Sequence, residues 1–351
     1  MLPQAKRRLR AALCKSCQLR MNDYTNTFHA ARVLITGGLG FIGSMLARRL
    51  VELGARVTLV DSLIPIYGGN MRNIAGIEDQ VKVNIADVRD EYSMDYLVQG
   101  QDFLFNLAGQ TSHLDSMRDP YTDLDINCRS QLSILEACRK HNPGLKLVYA
   151  STRQIYGKPD YLPVDERHSL HPVDVNGINK MAGEWYHILY NNVYGVRACA
   201  LRLTNTYGPR MRVKDARQTF LGIWVKQLID GEAIQVFGDG TQIRDFNYVD
   251  DVVDALLHSA AEPSANGQIF NLGSDETINL RDLAALMVDV NSDGRYQIVP
   301  FPLDRKAIDI GDYYADYRLI QGRLGWRPKV ALHKGLRRTL EFYRAEKEHY
   351  W

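Results

Sequence analysis

Val33-Leu34-Ile35-Thr36-Gly37-Gly38-Leu39-Gly40-Phe41-Ile42-Gly43 is an apolar, largely β-branched run that feeds three glycines spaced three apart. Ser44-Met45-Leu46-Ala47-Arg48-Arg49-Leu50 continues it with helical periodicity. The stretch reads as a strand, a tight turn and a helix N-terminus. Glycines at 37, 40 and 43 take side chains out of the path of a pyrophosphate, and the helix start adds unpaired N–H groups and positive dipole, with Phe41 and Ile42 in that first turn. Ala55-Arg56-Val57-Thr58-Leu59-Val60-Asp61 then supplies the next strand with a carboxylate at its end. Asp61 stands 18 residues after Gly43, close to the roughly 20 of a ribose-binding acid. A carboxylate there accepts from ribose hydroxyls and repels a 2′-phosphate, so the expected dinucleotide is NAD rather than NADP.

The pattern repeats downstream. Val81–Val88 is a third strand ending at Asp87 and Val88, an acid and an apolar neighbour within reach of an adenine. Asp102–Gly109 is a fourth, whose small Ala108 and Gly109 let a cofactor pass closely. A helix is expected over Asn127–Arg139 and a fifth strand over Leu145–Thr152. Strands alternating with helices imply an α/β fold with a Rossmann-type, doubly wound parallel sheet. Chemistry then belongs beyond the strand C-termini, at 109–112 and 152–157. The second half is less regular. The expected plan is a basic extension over 1–30, an NAD-binding domain over 31–204 with a return at about 245–265, and a smaller C-terminal substrate-binding domain from about 205–244 and 266–351.

At 351 residues, 45% hydrophobic and 24% charged, the chain has the composition of a globular enzyme with a sizeable core. No apolar run approaches a membrane span. Residues 1–30 carry six Lys/Arg against one Asp, so within the total of +2 the remainder stands at −3. That mildly acidic body gives no case for nucleic acid. Five scattered cysteines argue against a disulfide framework. Cys14 and Cys17 form a Cys-x-x-Cys with no second pair, so no metal is expected, and Cys128, Cys138 and Cys199 sit in apolar segments as core residues.

With these stretches in view the chain resembles the extended short-chain dehydrogenase/reductases that act on nucleotide sugars, the epimerases and dehydratases, from about Ala31 to Arg344. The markers beyond the glycine turn are Asn106-Leu107-Ala108-Gly109-Gln110, Ser151-Thr152 with Ile155-Tyr156-Gly157, Asn205-Thr206-Tyr207-Gly208-Pro209-Arg210, Phe237–Phe246 and Leu324-Gly325-Trp326-Arg327-Pro328-Lys329. The resemblance implies transient oxidation of a sugar hydroxyl by tightly held NAD, then return of the hydride. It assigns the base to a Tyr four residues before a Lys, with a Ser/Thr completing the relay. Thr152 and Lys180 fill two of these positions, and Lys180 would also hold the nicotinamide ribose. The Tyr position holds Asn176, whose amide does not titrate in water.

His113, just past the fourth strand, is the best-placed substitute base, because an imidazole is the side chain that ordinarily exchanges a proton near neutral pH. Tyr186 falls on another helix face. Dehydratases of this family carry Asp-Glu after the Thr, and decarboxylases a Glu at the second position. Arg153-Gln154 offers neither, which leaves epimerisation, at C4 of a nucleotide-linked hexose, as the leading expectation. Asn205 and Arg244 match diphosphate positions, Phe237 a base-packing position, and Lys306 the Arg of a later Arg-x-x-Asp. The chain reads as cytoplasmic, and the resemblance implies a homodimer paired through helices at 127–140 and 180–194. The rivals are a non-catalytic sensor or scaffold that binds NAD and a sugar nucleotide, and a different NAD-linked dehydrogenase or dehydratase.

Overall fold

The computed structural model describes residues 24–215 and 219–351. Its twelve strands are β1 Arg32–Thr36, β2 Arg56–Asp61, β3 Val81–Ile85, β4 Phe103–Asn106, β5 Lys146–Thr152, β6 Arg197–Leu203, β7 Asn205–Tyr207, β8 Ile234–Phe237, β9 Ile243–Tyr248, β10 Ile269–Asn271, β11 Thr277–Asn279 and β12 Tyr296–Val299. The helices of ten residues or more are α1 Phe41–Glu52, α2 Ser130–His141, α3 Val175–Tyr194, α4 Phe220–Ile229, α5 Val249–Ala261, α6 Leu280–Asn291 and α7 Leu332–Ala345.

Seven strands form one sheet in the order β10-β6-β5-β4-β1-β2-β3, and every pairing in it is parallel. A parallel sheet must be covered on both faces. On one face Leu46, Ala47 and Leu50 of α1 pack with Val252, Leu256 and Ala260 of α5 against Phe105 and Val148. On the other, Ile134, Leu135 and Cys138 of α2 and Tyr190 of α3 close over Leu34, Leu104 and Leu147. The order reverses between β1 and β4, and a crevice opens there beyond their C-terminal ends. A second core gathers Trp224 and Leu228 of α4, Val236, Met287 of α6 and Leu336 and Leu340 of α7. This smaller body carries the two-stranded β12-β8 pair, and the three-stranded β11-β9-β7 sheet lies beside it.

Two boundaries differ from the sequence expectation. Residues 24–30 belong to the body rather than to a basic extension: Phe28 is fully buried in the α1-side core, and Tyr24 Oη donates to Asp254 at 2.7 Å. The return to the large sheet runs past 265, because β10 pairs in parallel with β6 through Ala200 to Arg202. A three-residue strand leaves too little alternation to be read in advance. Cys128, Cys138 and Cys199 are buried free thiols, whereas Cys14 and Cys17 lie outside the described residues. No described helix is long and apolar enough to cross a membrane.

Candidate active site

A cavity of about 930 Å³ runs from the β1–α1 turn, past the ends of β4 and β5, into the smaller body. Every site residue singled out from the sequence lines it except Lys306.

The three glycines do different work. Gly37 has φ +66°, and a Cβ there would meet the Ala108 backbone at 3.0 Å. A Cβ on Gly43 would sit 2.2 Å from the Gly37 carbonyl oxygen, so Gly43 lets α1 close onto the turn. Gly40 has extended backbone, and its Cβ would meet only the Gly37 oxygen, at 3.2 Å. Its free side is the cavity, a cradle that any side chain would fill. No side chain caps α1, so its first turn, Phe41 to Gly43, offers backbone donors to the cavity wall. These features fit a dinucleotide's pyrophosphate.

Asp61 ends β2, with Oδ2 accepting from Leu39 N at 3.0 Å and Oδ1 from Leu63 N at 2.9 Å. Burial raises its pKa, and those two N–H groups oppose the rise. Each oxygen keeps a lone pair for a ribose hydroxyl. Asp87 lines the far side and is held in a 2.6 Å ion pair with Arg89, which pulls its pKa down. Under the crevice Thr36 Oγ1 accepts from Leu107 N and Ala108 N at 3.1 and 3.2 Å, fixing the end of β4. A Cβ on Gly109 would come within 2.8 Å of Lys180 Nζ.

Lys180 comes from α3, is buried, and donates to the Ala150 carbonyl at 3.2 Å. Desolvation lowers its pKa to about 8, while the charge of Asp123 pulls it back up. Asn176, one turn earlier, is also buried. Its Nδ2 donates to the Gln110 carbonyl at 2.8 Å and to Asp123 Oδ2 at 3.1 Å. Both partners only accept, which fixes the amide's orientation and uses both of its protons. Toward the cavity Asn176 therefore presents an acceptor. Asp123, fully buried, also takes Asn127 Nδ2 at 3.0 Å and Asn179 Nδ2 at 2.8 Å. A buried carboxylate thus rests on three asparagine amides.

His113 opens the short helix His113–Arg118, with Nδ1 2.9 Å from Asp174 Oδ2. The contact is at ion-pair distance but off the line of a well-formed hydrogen bond. Asp174 caps α3 through Gly177 N at 2.7 Å and accepts Gln154 Nε2 at 2.9 Å. Burial pushes its pKa up, but His113, Gly177 and Gln154 outweigh that and hold it below the usual carboxylate value. With Nδ1 at Asp174, the imidazole keeps Nε2 free. Thr152, at the end of β5, accepts from Gln154 N at 3.2 Å and lines the cavity.

In the smaller body Phe237 lies 6.0 Å from Phe301 and under Arg305, whose Cζ is 5.5 Å from its ring. Lys306, expected to face the diphosphate, is exposed and does not line the cavity. The short helix Leu303–Lys306 turns Arg305 inward instead. Arg244 is buried, donates to the Ile243 carbonyl at 2.8 Å and to that of Gly311, and lies 3.6 Å from Asp309. Desolvation, then the neighbouring Arg153, lowers its pKa to about 10. Asn205 Nδ2 donates to the Asp245 carbonyl at 3.0 Å.

Residues 33–273 match the NAD dependent epimerase/dehydratase family. The chain belongs to that family. Among curated relatives, UDP-glucose 4-epimerase of Mycolicibacterium smegmatis is 32% identical over 317 residues, 89% of this chain and 98% of that one. UDP-glucuronic acid decarboxylase 1 of Danio rerio is 31% identical over 327 residues, 91% of this chain and 74% of its own. Among solved structures, the UDP-glucose 4-epimerase of Thermotoga maritima superposes with a TM-score of 0.82 at 30% identity, covering 90% of this chain and 99% of that one.

Within this epimerase/dehydratase frame the sequence reading missed Asp123, Asp174, Asn179 and Arg305. Asp174 carried a usable signal, a helix N-cap carboxylate directly before α3. Asp123 carried only its i,i+4 spacing to Asn127, since Asn176 and Asn179 lie more than fifty residues away.

Proposed function

We propose that this member of the family is an NAD-dependent nucleotide-sugar epimerase that moves its proton through His113 and Asp174 instead of a tyrosine. The observation that carries the reading is the 2.9 Å approach of His113 Nδ1 to buried Asp174 in the same cavity as Thr152, Asn176 and Lys180. Gly37 to Gly43, Asp61, Asp87, Val88, Ala108 and Gly109 would hold NAD, which supplies acceptance and return of a hydride. Lys180 would hold the nicotinamide ribose. The Asn176 acceptor takes a hydrogen bond from the sugar hydroxyl and aims it at Thr152. As the carbon–hydrogen bond is oxidised, the hydroxyl proton passes by Thr152 to His113 Nε2, and Asp174 stabilises the imidazolium. His113 would return a proton to the sugar oxygen as its carbon is reduced again from the opposite face. Asn205 and Arg244 hold the diphosphate, Phe237 with Arg305 the base, and C4 of a hexose is the reacting centre. A binding-only scaffold has no use for a histidine–aspartate pair beside that lysine.

The protein is further proposed to be a cytoplasmic homodimer. Its three buried free cysteines suit a reducing compartment, and α3 carries an unpartnered apolar stripe.

His113→Ala and Asp174→Asn are each expected to cut turnover of the accepted nucleotide sugar about 10²-fold or more, with NAD affinity unchanged. The readouts are NMR-detected epimer formation and NAD titration. A harmless His113→Ala combined with a flat pH profile from 5 to 9 would remove the histidine and leave Lys180 as the base.

A further inference from the structure

Arg153 is a cation without a counter-ion in the cavity wall. Its Nη2 donates to Asn205 Oδ1 at 3.2 Å and its Cζ rests 5.1 Å from the ring of buried Tyr313. Its Nη1 is enclosed and has no hydrogen-bond partner. No carboxylate of a described residue pairs with it; Asp174, Asp245 and Asp309 act only as distant charges, and desolvation lowers its pKa. Arg244 lies close enough to add repulsion. Two guanidiniums thus share this wall. Asp309 comes within 3.6 Å of Arg244, and Asp245 is spent on Thr204 and on Ala315 N.

Withdrawing a guanidinium from water costs several kcal/mol unless an anion compensates it. A hydroxyl of a neutral hexose does not do so. Arg153 lines the cavity with Nη1 sealed behind it and Nη2 on Asn205, and a guanidinium so held has the planar geometry that a carboxylate matches. Arg153 directly follows Thr152, and its side chain runs from that reacting end to Asn205 beside Arg244, so its guanidinium lies where the sugar would meet the diphosphate. On the epimerase reading above, we infer that Arg153 receives a carboxylate borne by the sugar, and that the substrate class is a nucleotide-linked sugar acid. Gln154 bonds Asp174 through its amide and puts no carboxylate of its own beside that group.

The test is calorimetric titration of the NAD-loaded full chain with UDP-glucuronate, UDP-glucose and UDP. It is repeated with glucuronate 1-phosphate and glucose 1-phosphate, which carry no base, and turnover is followed by NMR. Wild type is expected to favour each acid over its neutral partner at least about tenfold, the range of one charge-assisted contact. Arg153→Met keeps the packing on Tyr313 and should erase the preference, with UDP affinity shifted by less than about threefold on the same scale. Arg153→Lys keeps the charge without the fork and should fall between. Equal losses on UDP, UDP-glucose and UDP-glucuronate would show that Arg153 holds the diphosphate, and a wild type without preference would likewise overturn the assignment. A preference in binding without turnover would sustain the carboxylate site and sink the epimerase reading. No binding of any of the five probes would sink both.

Discussion

At the scale of single residues, the departure at Asn176 is a rebuilt network rather than a simple loss. A tyrosine at 176 would bring no amide donors, leaving Asp123 with two asparagines instead of three and the Gln110 carbonyl with Asn127 alone. Asn176→Tyr is therefore expected to lose about 1–3 kcal/mol of stability in a denaturant melt, without any gain in turnover. A rise in turnover would mean that the lysine and threonine still await a phenol. Lys180 gives a second test. The unfolded chain keeps this proton up to the ordinary value of 10.5, while the folded site releases it near 8. Folding therefore bears the full burial penalty below pH 8, on the order of 3 kcal/mol, and is relieved of it as pH rises toward 10.5. Cofactor-free Lys180→Met should melt above wild type at pH 7, with the gap closing by pH 10. A gap independent of pH would assign the effect to packing alone.

At the scale of elements, the β1–α1 turn was legible because its signal is local: strand, glycines and helix follow one another within twenty residues. The same locality made the parallel sheet readable, since strands and helical stretches alternate along the chain. What escaped notice was contact between distant elements. The Asp123 cluster joins the helix Pro120–Leu124 to α3, and the register of Leu303–Lys306, which selects Arg305 over Lys306, is set by packing on Phe237. Arg153 was visible in sequence only as a missing carboxylate, because an unpaired cation is a property of its surroundings. The turn allows fold and cofactor to be separated. Gly43→Ala drives a methyl into the Gly37 carbonyl oxygen and should lower stability by about 1–3 kcal/mol. Gly40→Val fills the open cradle instead and should cost the cofactor-free protein less stability than Gly43→Ala while losing NAD affinity. Equal damage to both properties in Gly40→Val would remove the distinction drawn between the two glycines.

At the scale of the molecule, the cavity works only if the two bodies stay in register. Met45 and Ile42 of α1 pack against both cores. The chain end returns to the first domain, where Arg72 pairs with Glu346 at 2.8 Å and Tyr350 Oη donates to Asn73 Oδ1 at 2.6 Å. One surface is left over. Ile178, Trp185, Leu189 and Val193 form a stripe along α3, each about half exposed or more, and Tyr121 and Leu124 extend it on the adjoining short helix. At 100° per residue the four α3 positions fall within about 80° of one another, the geometry of a seam between paired helices. A second copy related by a two-fold axis would cover the stripe with its own equivalent. Light scattering should then give about twice the 39.9 kDa chain mass for wild type. Leu189→Glu with Val193→Glu should give the single mass, because two carboxylates would have to be buried against their symmetry mates. A wild type that stays monomeric at micromolar concentration would end the dimer proposal, and the stripe would then need a different partner.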